Sequence, residues 1–313
     1  MLTRINQTIA HLLTLLCAML LIVPAHAQET NPYMGAPVTL VKAPNGAIGN
    51  KKLLDGIDEV AYLTPTIDQP AEGIWVFGGF AVAPIAVIET DEGLIAFDTG
   101  DAEHDGEILL EAIRTVSDKP IKAIIYSHSH TVHGAGVFAF SLRDVIVIGK
   151  PGLNEAVAED AAASGIPAYY PEVGPYLLGR AITQFNGYLP KEGPDAWVMP
   201  FNVHTGSSAF LPVNTPVQDG EEMTLLGVKM QFFTRYGSDD KFHTTVWLPE
   251  RKIVFSMMLW SSPPQLYSLR GDVFRDPREW IAGLKLTRDL NAEVLVSAAS
   301  RPVVGKENVR KAL

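Results

Sequence analysis

The densest chemistry in the sequence is the stretch "IIYSHSHTVHGAG", residues 124–136. It sets His128, His130 and His133 within six positions of one another, in a chain with 8 histidines in all. Imidazole is the commonest metal ligand among side chains. Two residues at i and i+2 on extended backbone face the same way, and a third on the first turn of a following helix can swing in from the other side. Zn²⁺ takes tetrahedral nitrogen and oxygen donors, and it lowers the pKa of bound water to about 7. A polar surface loop can also carry histidines for no purpose. The buried-looking run "IKAIIY" immediately upstream favours a metal site.

That loop needs elements to hold it. Short β-branched runs, "IWVFGG" (74–79), "PIAVIET" (84–90) and "GLIAFDTG" (93–100), alternate with Gly, Pro and acidic turns and read as strands of a meander. "DAEHDGEILLEAIRTVS" then places Ile108, Leu109, Ala112, Ile113 and Val116 at helical period. A strand at 121–126 leads into the histidine loop and a helix opening at "HGAGVFAF". Another strand, "DVIVIG" (144–149), and another helix, "GLNEAVAEDAAA" (152–163), follow. Residues 165–205 are irregular and aromatic, and are expected to be an insertion able to wall a pocket. The later runs "MTLLG", "VKMQFFT", "TTVWLP" and "KIVFSMM" form a second strand set, closed by a helix at 276–290 and a strand at 292–298. Two β-rich halves with helices outside imply an α/β chain folded as an αββα sandwich, a single domain with its site at the sheet edge.

Composition narrows the function classes. The chain has 313 residues, is 47% hydrophobic and carries a formal charge of −10. It has no basic stripe to neutralise phosphates, so nucleic acid is not an expected partner. Arg4, the apolar run at 12–23 and "PAHA" at 24–27 read as a signal peptide cleaved near Ala27. The apolar run is shorter than the ~20 residues a membrane span needs, so no stable membrane anchor is expected. A periplasmic or secreted location follows. The chain's one cysteine, Cys17, lies inside the leader, which leaves no thiolate ligand and no thiol nucleophile for the mature chain. Residues 28–70 read as an extended arm with a short helix near 52–61, and 71–313 as the domain. No Gly-x-Ser-x-Gly elbow and no phosphate-binding glycine loop is present.

The motifs together resemble a known family. "YSHSHTVHGAG" resembles the metal motif of the metallo-β-lactamase superfamily, His-x-His-x-Asp-His, and "FDTG" fits it. "IYSHSH", "GRAITQFNGYLP" (179–190), "LRGDVFRDPREW" (269–280) and "RPVVG" (301–305) are similar to alkylsulfatases, which hydrolyse long-chain sulfate esters. The resemblance covers residues 70–310 with motif order kept. In that family the first of two zinc ions is held by the His-x-His pair and a later acid. This implies His128, His130 and Asp239 here, with Asp240 or His243 as alternatives. The second ion takes an Asp, a His, a Glu and a His. The corresponding positions here are Val132, His133, Met258 and Ala299 or Ser300, so that site is degenerate. One Zn²⁺ is expected and two are not supported by the ligand set, because apolar side chains and a thioether do not suit a hard zinc centre. His133 is then released to complete the first site or to act as general acid or base.

Arg270 matches the position that faces the sulfate, and Arg180 is a weaker candidate for the same role. A guanidinium suits a tetrahedral oxyanion through paired hydrogen bonds. Asp98 reads as a buried acid that orients the metal-loop backbone, and His204 as a loop histidine. The family's dimerisation and sterol-carrier-like regions are expected to lie C-terminal to the core, and this sequence ends at Leu313, before them. The expected function is an exported metallohydrolase acting on a small-molecule anionic ester such as a sulfate ester. The alternatives are an inactive relative that binds an anionic ligand or partner, and a lactonase or β-lactamase-like hydrolase. No oligomeric state is implied.

Overall fold

The computed structural model describes residues 38–42, 46, 48–62, 64–140, 144–161, 207–238, 240–257, 276–297 and 299–313. A hairpin, β1 (Leu40–Lys42) with β2 (Ile48–Asn50), leads into helix α1 (Lys51–Val60). The larger sheet then runs in chain order as β3 (Thr66–Ala71), β4 (Ile74–Gly78), β5 (Ile85–Glu89), β6 (Leu94–Phe97), β7 (Ile121–Ile125), β8 (Ile146–Gly149) and β9 (Thr215–Pro216). It is antiparallel as far as β6 and parallel from β6 to β9. Helix α2 (Glu103–Arg114) makes the crossover from β6 to β7. The histidine loop and α3 (Ala135–Phe138) lie between β7 and β8, and α4 (Leu153–Ala161) follows β8.

The smaller sheet holds β10 (Glu222–Leu225), β11 (Val228–Phe233), β12 (Thr245–Leu248), β13 (Ile253–Ser256), β14 (Val294–Ser297) and β15 (Val303–Val304). Its parallel step, β13 to β14, is crossed by α5 (Pro277–Asp289). Asp276 caps α5, its side chain accepting from Arg278 N, with Pro277 on the first turn. Helix α6 (Lys306–Ala312) closes the described chain.

Strand alternation decides the layering. Ala86, Ile88, Ile95, Phe97, Ala123 and Ile125 of the larger sheet pack into one cluster with Phe232, Val246, Phe255 and Val296 of the smaller sheet. Phe97 and Phe255 meet across the gap, with ring centroids 5.3 Å apart. The intervening residues Ile85, Val87, Leu94 and Ala96 point the other way, onto Leu109 and Ile113 of α2 and Leu153 and Val157 of α4. On the outer face of the smaller sheet, Val254 and Leu295 pack with Val309 of α6. A strand buried on both faces reads as a nearly continuous apolar run, and "IKAIIY" is one, broken only by the half-buried Lys122. The chain is thus an αββα sandwich, as the sequence pattern implies.

The element boundaries differ from expectation in identifiable places. Strand β3 lies mostly within residues 28–70, expected as an extended arm, yet it pairs with β4 as the edge of the larger sheet. Its Asp68, Gln69 and Pro70 break the apolar alternation, which suits an edge and hides it in the sequence. Helix α1 stands where the short helix near 52–61 is expected. Strands β9 and β15 are two residues each and carry no periodic signal. The aromatic stretch 165–205 and the leader lie outside the described residues. Among the described residues no helix is long and apolar enough to cross a membrane.

A candidate metal centre at the edge of the two sheets

Strand β7 delivers the histidines. Its apolar run ends at Ile125, Tyr126 stays buried with its hydroxyl donating to Leu211 O at 2.9 Å, and the chain then leaves the sheet. Ser127, His128 and Ser129 are buried, while His130 and His133 are partly exposed. The "DTG" turn after β6 runs alongside and fixes this loop. Asp98 N donates to Ile125 O (2.9 Å), Thr99 N to Thr131 O (2.9 Å) and His133 N to Gly100 O (3.1 Å). Gly100 and Val132 form an isolated parallel bridge.

Asp98 serves the backbone-orienting role expected of it. It is fully buried, its backbone is left-handed at φ 68°, and its Oδ1 accepts from Ser127 N at 2.8 Å. Burial pushes its carboxyl up to about 7, against hydrogen bonds from Ser127 and Thr131 and with help from the nearby Asp240 charge.

The imidazoles are oriented by hydroxyls. His128 Nδ1 lies 2.7 Å from Ser127 Oγ and 3.4 Å from Thr131 Oγ1. With Nδ1–H donating to a hydroxyl, a metal would be taken on Nε2, the usual way a neighbouring group fixes the tautomer of a ligating histidine. The His128 and His130 rings sit 4.9 Å apart at 75°, so both nitrogen donors occupy one small volume. His133 Nδ1 meets Ser208 Oγ at 2.7 Å. A strap over residues 207–209 secures it: Ala209 N donates to His133 O (2.8 Å), Gly136 N to Ala209 O (2.6 Å) and Glu103 N to Ser207 O (2.9 Å). Burial, and then the charge of His130, hold His133 below its ordinary pKa, so it is neutral at pH 7.

The β11–β12 loop of the smaller sheet comes to the same edge. Asp240 accepts from Ser129 N on Oδ2 (2.7 Å) and from Phe242 N on Oδ1 (2.7 Å). Burial opposes its ionisation, but His128, His130 and the Ser129 amide together hold its carboxyl below the usual range. Thr244 N donates to Ser127 O at 2.7 Å. Lys150, at the end of β8, donates from Nζ to Lys241 O at 2.8 Å. His243 is buried beneath, its Nε2 3.0 Å from Thr245 Oγ1, which in turn lies 3.0 Å from Ser256 Oγ.

The structure therefore brings together His128, His130, His133 and Asp240. His243 is engaged toward the smaller sheet. Asp239, Arg180, Arg270, Met258 and His204 lie outside the described residues. Val132 is 0% exposed and belongs to the apolar cluster beneath α2 and α4, so it offers no donor. Ala299 is exposed and likewise carries no ligand atom. Among the described residues no group of three or more His, Cys, Asp or Glu side chains converges as a cage for a metal ion. What they supply toward one is a pair of imidazoles with one tautomer set by a hydroxyl, a donor set that fits a nitrogen-liking ion.

Sequence reasoning missed Ser127 and Ser208. The alternation "SHSH" held a signal for the first, because a hydroxyl next to a ligating histidine can set its tautomer. Nothing local marked Ser208.

Comparison with known proteins agrees with the fold. Residues 78–256 match the family model described as the metallo-beta-lactamase superfamily. A linear primary-alkylsulfatase from a Pseudomonas strain is 33% identical over 232 residues, 72% of this chain and 43% of that protein. The chain thus spans less than half the length of that relative. A stereoselective inverting sec-alkylsulfatase from Pseudomonas sp. has the same fold, with a TM-score of 0.65 and 21% identity over 95% of this chain and 51% of that one. A metallo-beta-lactamase family protein from Thermus thermophilus superposes with a TM-score of 0.51 at 16% identity, covering 77% of each chain. The family match covers β5 to β13, with strands of both sheets and the histidine loop between β7 and β8, and the chain belongs to the metallo-beta-lactamase superfamily.

Proposed function

We propose that this protein is an exported, metal-dependent hydrolase of a small-molecule anionic ester, a sulfate ester foremost, with a single zinc ion at His128 and His130. The observation that carries this reading is the pairing of the two rings at 4.9 Å, with His128 Nδ1 engaged by Ser127 Oγ. The Pseudomonas relative at 33% identity, a linear primary-alkylsulfatase, supports the substrate class. When bound, a zinc ion supplies Lewis-acid charge and makes a water acidic enough to react near neutral pH.

The chain's own residues supply the rest. His128 and His130 hold the ion, and Asp239 is the expected oxygen donor. His133, neutral at pH 7 and fixed through Nδ1 by Ser208, takes up a proton during the reaction. Arg270, with Arg180 in a lesser part, binds the charged group of the ester. Residues 1–27 direct export to the periplasm or beyond.

The test is zinc content followed by turnover. The unaltered chain is expected to hold about one zinc ion, lost in a His128→Ala/His130→Ala variant, and to release sulfate from a medium-chain alkyl sulfate only when loaded. A folded protein with no zinc would overturn the reading. One observation favours a second reading, a binder of anionic esters without turnover: Val132 is packed into the apolar layer where the family's second site has a carboxylate. Zinc binding without sulfate release, across alkyl chain lengths, would select it.

A further inference from the structure

His128 is bracketed by two hydrogen bonds from the opposite sheet. The residue before it, Ser127, accepts from Thr244 N at 2.7 Å through its carbonyl. The residue after it, Ser129, donates its amide to Asp240 Oδ2, also at 2.7 Å. Asp240 is half-buried with both carboxylate oxygens on backbone amides, since Oδ1 accepts from Phe242 N. The loop that carries it is anchored a second time, by Lys150 Nζ on Lys241 O. Opposite, Asp98 Oδ1 takes the Ser127 amide. The His-x-His turn is therefore held between a carboxylate from the larger sheet and a carboxylate from the smaller one, at the residues on either side of His128.

We infer that Asp240 is a positioning residue for the metal pair rather than a metal ligand: through the Ser129 amide it fixes the turn that sets His128 and His130 side by side. Ser129 is the residue between the two histidines, so pinning its N–H constrains the backbone torsions that aim both rings. Each oxygen of Asp240 is already directed at an amide, which ties the carboxylate to the backbone of both loops. The half-buried negative charge also favours a dication nearby. Groups of this kind, one step behind the ligands, typically change metal affinity about 10–100-fold when removed.

This inference rests on the proposed zinc site, and the experiment separates the two. In the full chain, Asp240→Asn keeps the shape but presents an NH₂ group to one of the two amides. Three quantities are measured: zinc affinity by competition with a chromophoric chelator, the visible spectrum of the Co²⁺-loaded protein at saturation, and hydrogen exchange at the Ser129 amide.

The expected result is zinc affinity down about 10–100-fold, an unchanged Co²⁺ spectrum at saturation, and Ser129 exchange accelerated while the β7 amides keep their protection. Asp240→Glu keeps the charge but reaches Ser129 N only by releasing Phe242 N. It is expected to fall between the unaltered chain and Asn, and it carries the test if the Asn variant does not fold. Unchanged affinity and exchange in both variants overturn the inference. A Co²⁺ spectrum altered at saturation overturns it differently, by making Asp240 a ligand. If the unaltered chain binds no zinc, the metal reading fails and with it the purpose assigned to Asp240. Ser129 exchange then shows whether the tie itself exists.

Discussion

Asp98 combines full burial, a left-handed backbone at φ 68° and an amide on Oδ1, a combination that an Asp or Asn tolerates far better than a branched side chain. Its carboxyl titrates at about 7 in the folded chain against an ordinary 3.8, chiefly through burial. Between those values the folded state holds a proton that the unfolded state has lost, so stability falls as pH rises from about 4 to about 7 and this group adds no further change above. Asp98→Asn keeps the amide acceptor and removes the charge. The metal-stripped variant is therefore expected to lose that part of the slope when urea unfolding is compared across this window. A slope identical to the parent's would assign the titration elsewhere.

Val132 makes the complementary case at the same scale. Returning an acid there buries a carboxylate among apolar side chains, and Val132→Asp is expected to lose roughly 2–4 kcal/mol in the same assay. A stable variant that takes up a second metal would show instead that position 132 turns toward the site.

At the scale of elements, the histidine loop works because two backbones touch. A Cβ on Gly134 would meet Thr99 O at 2.1 Å and Gly106 Cα at 2.8 Å, and one on Gly106 would meet Gly134 O at 2.7 Å. Helix α2 and the loop before α3 thus meet through a pair of glycines, which lets the "DTG" turn run along the histidines. Gly134→Ala is expected to cost roughly 3 kcal/mol, read as a lower urea midpoint at unchanged slope. A loss under about 1 kcal/mol would mean that the two segments part easily. The glycines of "HGAG" stand in the sequence where a helix is expected to open after the histidine motif. Their partner Gly106 was not marked, because it sits inside a helix whose periodicity speaks only of its apolar face. Most strands were legible for the opposite reason: period-two burial with both faces covered writes itself into the residues. Edge strand β3, polar and broken by Pro70, had no such mark.

At the scale of the whole molecule, the two ends of the described chain are joined by one cluster. Arg301 meets Asp68 of β3 through Nη2 (2.7 Å) and Nε (3.1 Å), lies over the Tyr62 ring at 5.3 Å, and donates its backbone N–H to Val60 O. Tyr62 donates its hydroxyl to Asp68 Oδ2 at 2.9 Å. The turn after β14 is thereby clasped to the first strand of the other sheet. The pair is partly exposed, so solvent screens it. A double-mutant cycle of Arg301→Ala with Asp68→Ala is expected to give a coupling of about 1–2 kcal/mol, and a value near zero would reduce the clasp to a surface contact. "RPVVG" is a stretch similar to alkylsulfatases. Its work as a clasp follows only from Asp68, 233 residues away.

By itself, the sequence determined most of the elements and their order, the two-sided burial of the central strands, and the gathering of imidazoles at the end of β7, because these rest on spacings of a few residues. It also determined that position 132 can donate nothing to a metal, since that is a matter of residue type. Only the tertiary structure decided that Asp240 lies on the Ser129 amide, that Ser208 takes His133 Nδ1, that His243 engages Thr245 and that Val132 packs into the layer beneath the helices. These contacts join segments 111 and 75 residues apart, or depend on which way one side chain turns out of a loop. No local periodicity records either, because the energy that selects them is shared between two sheets.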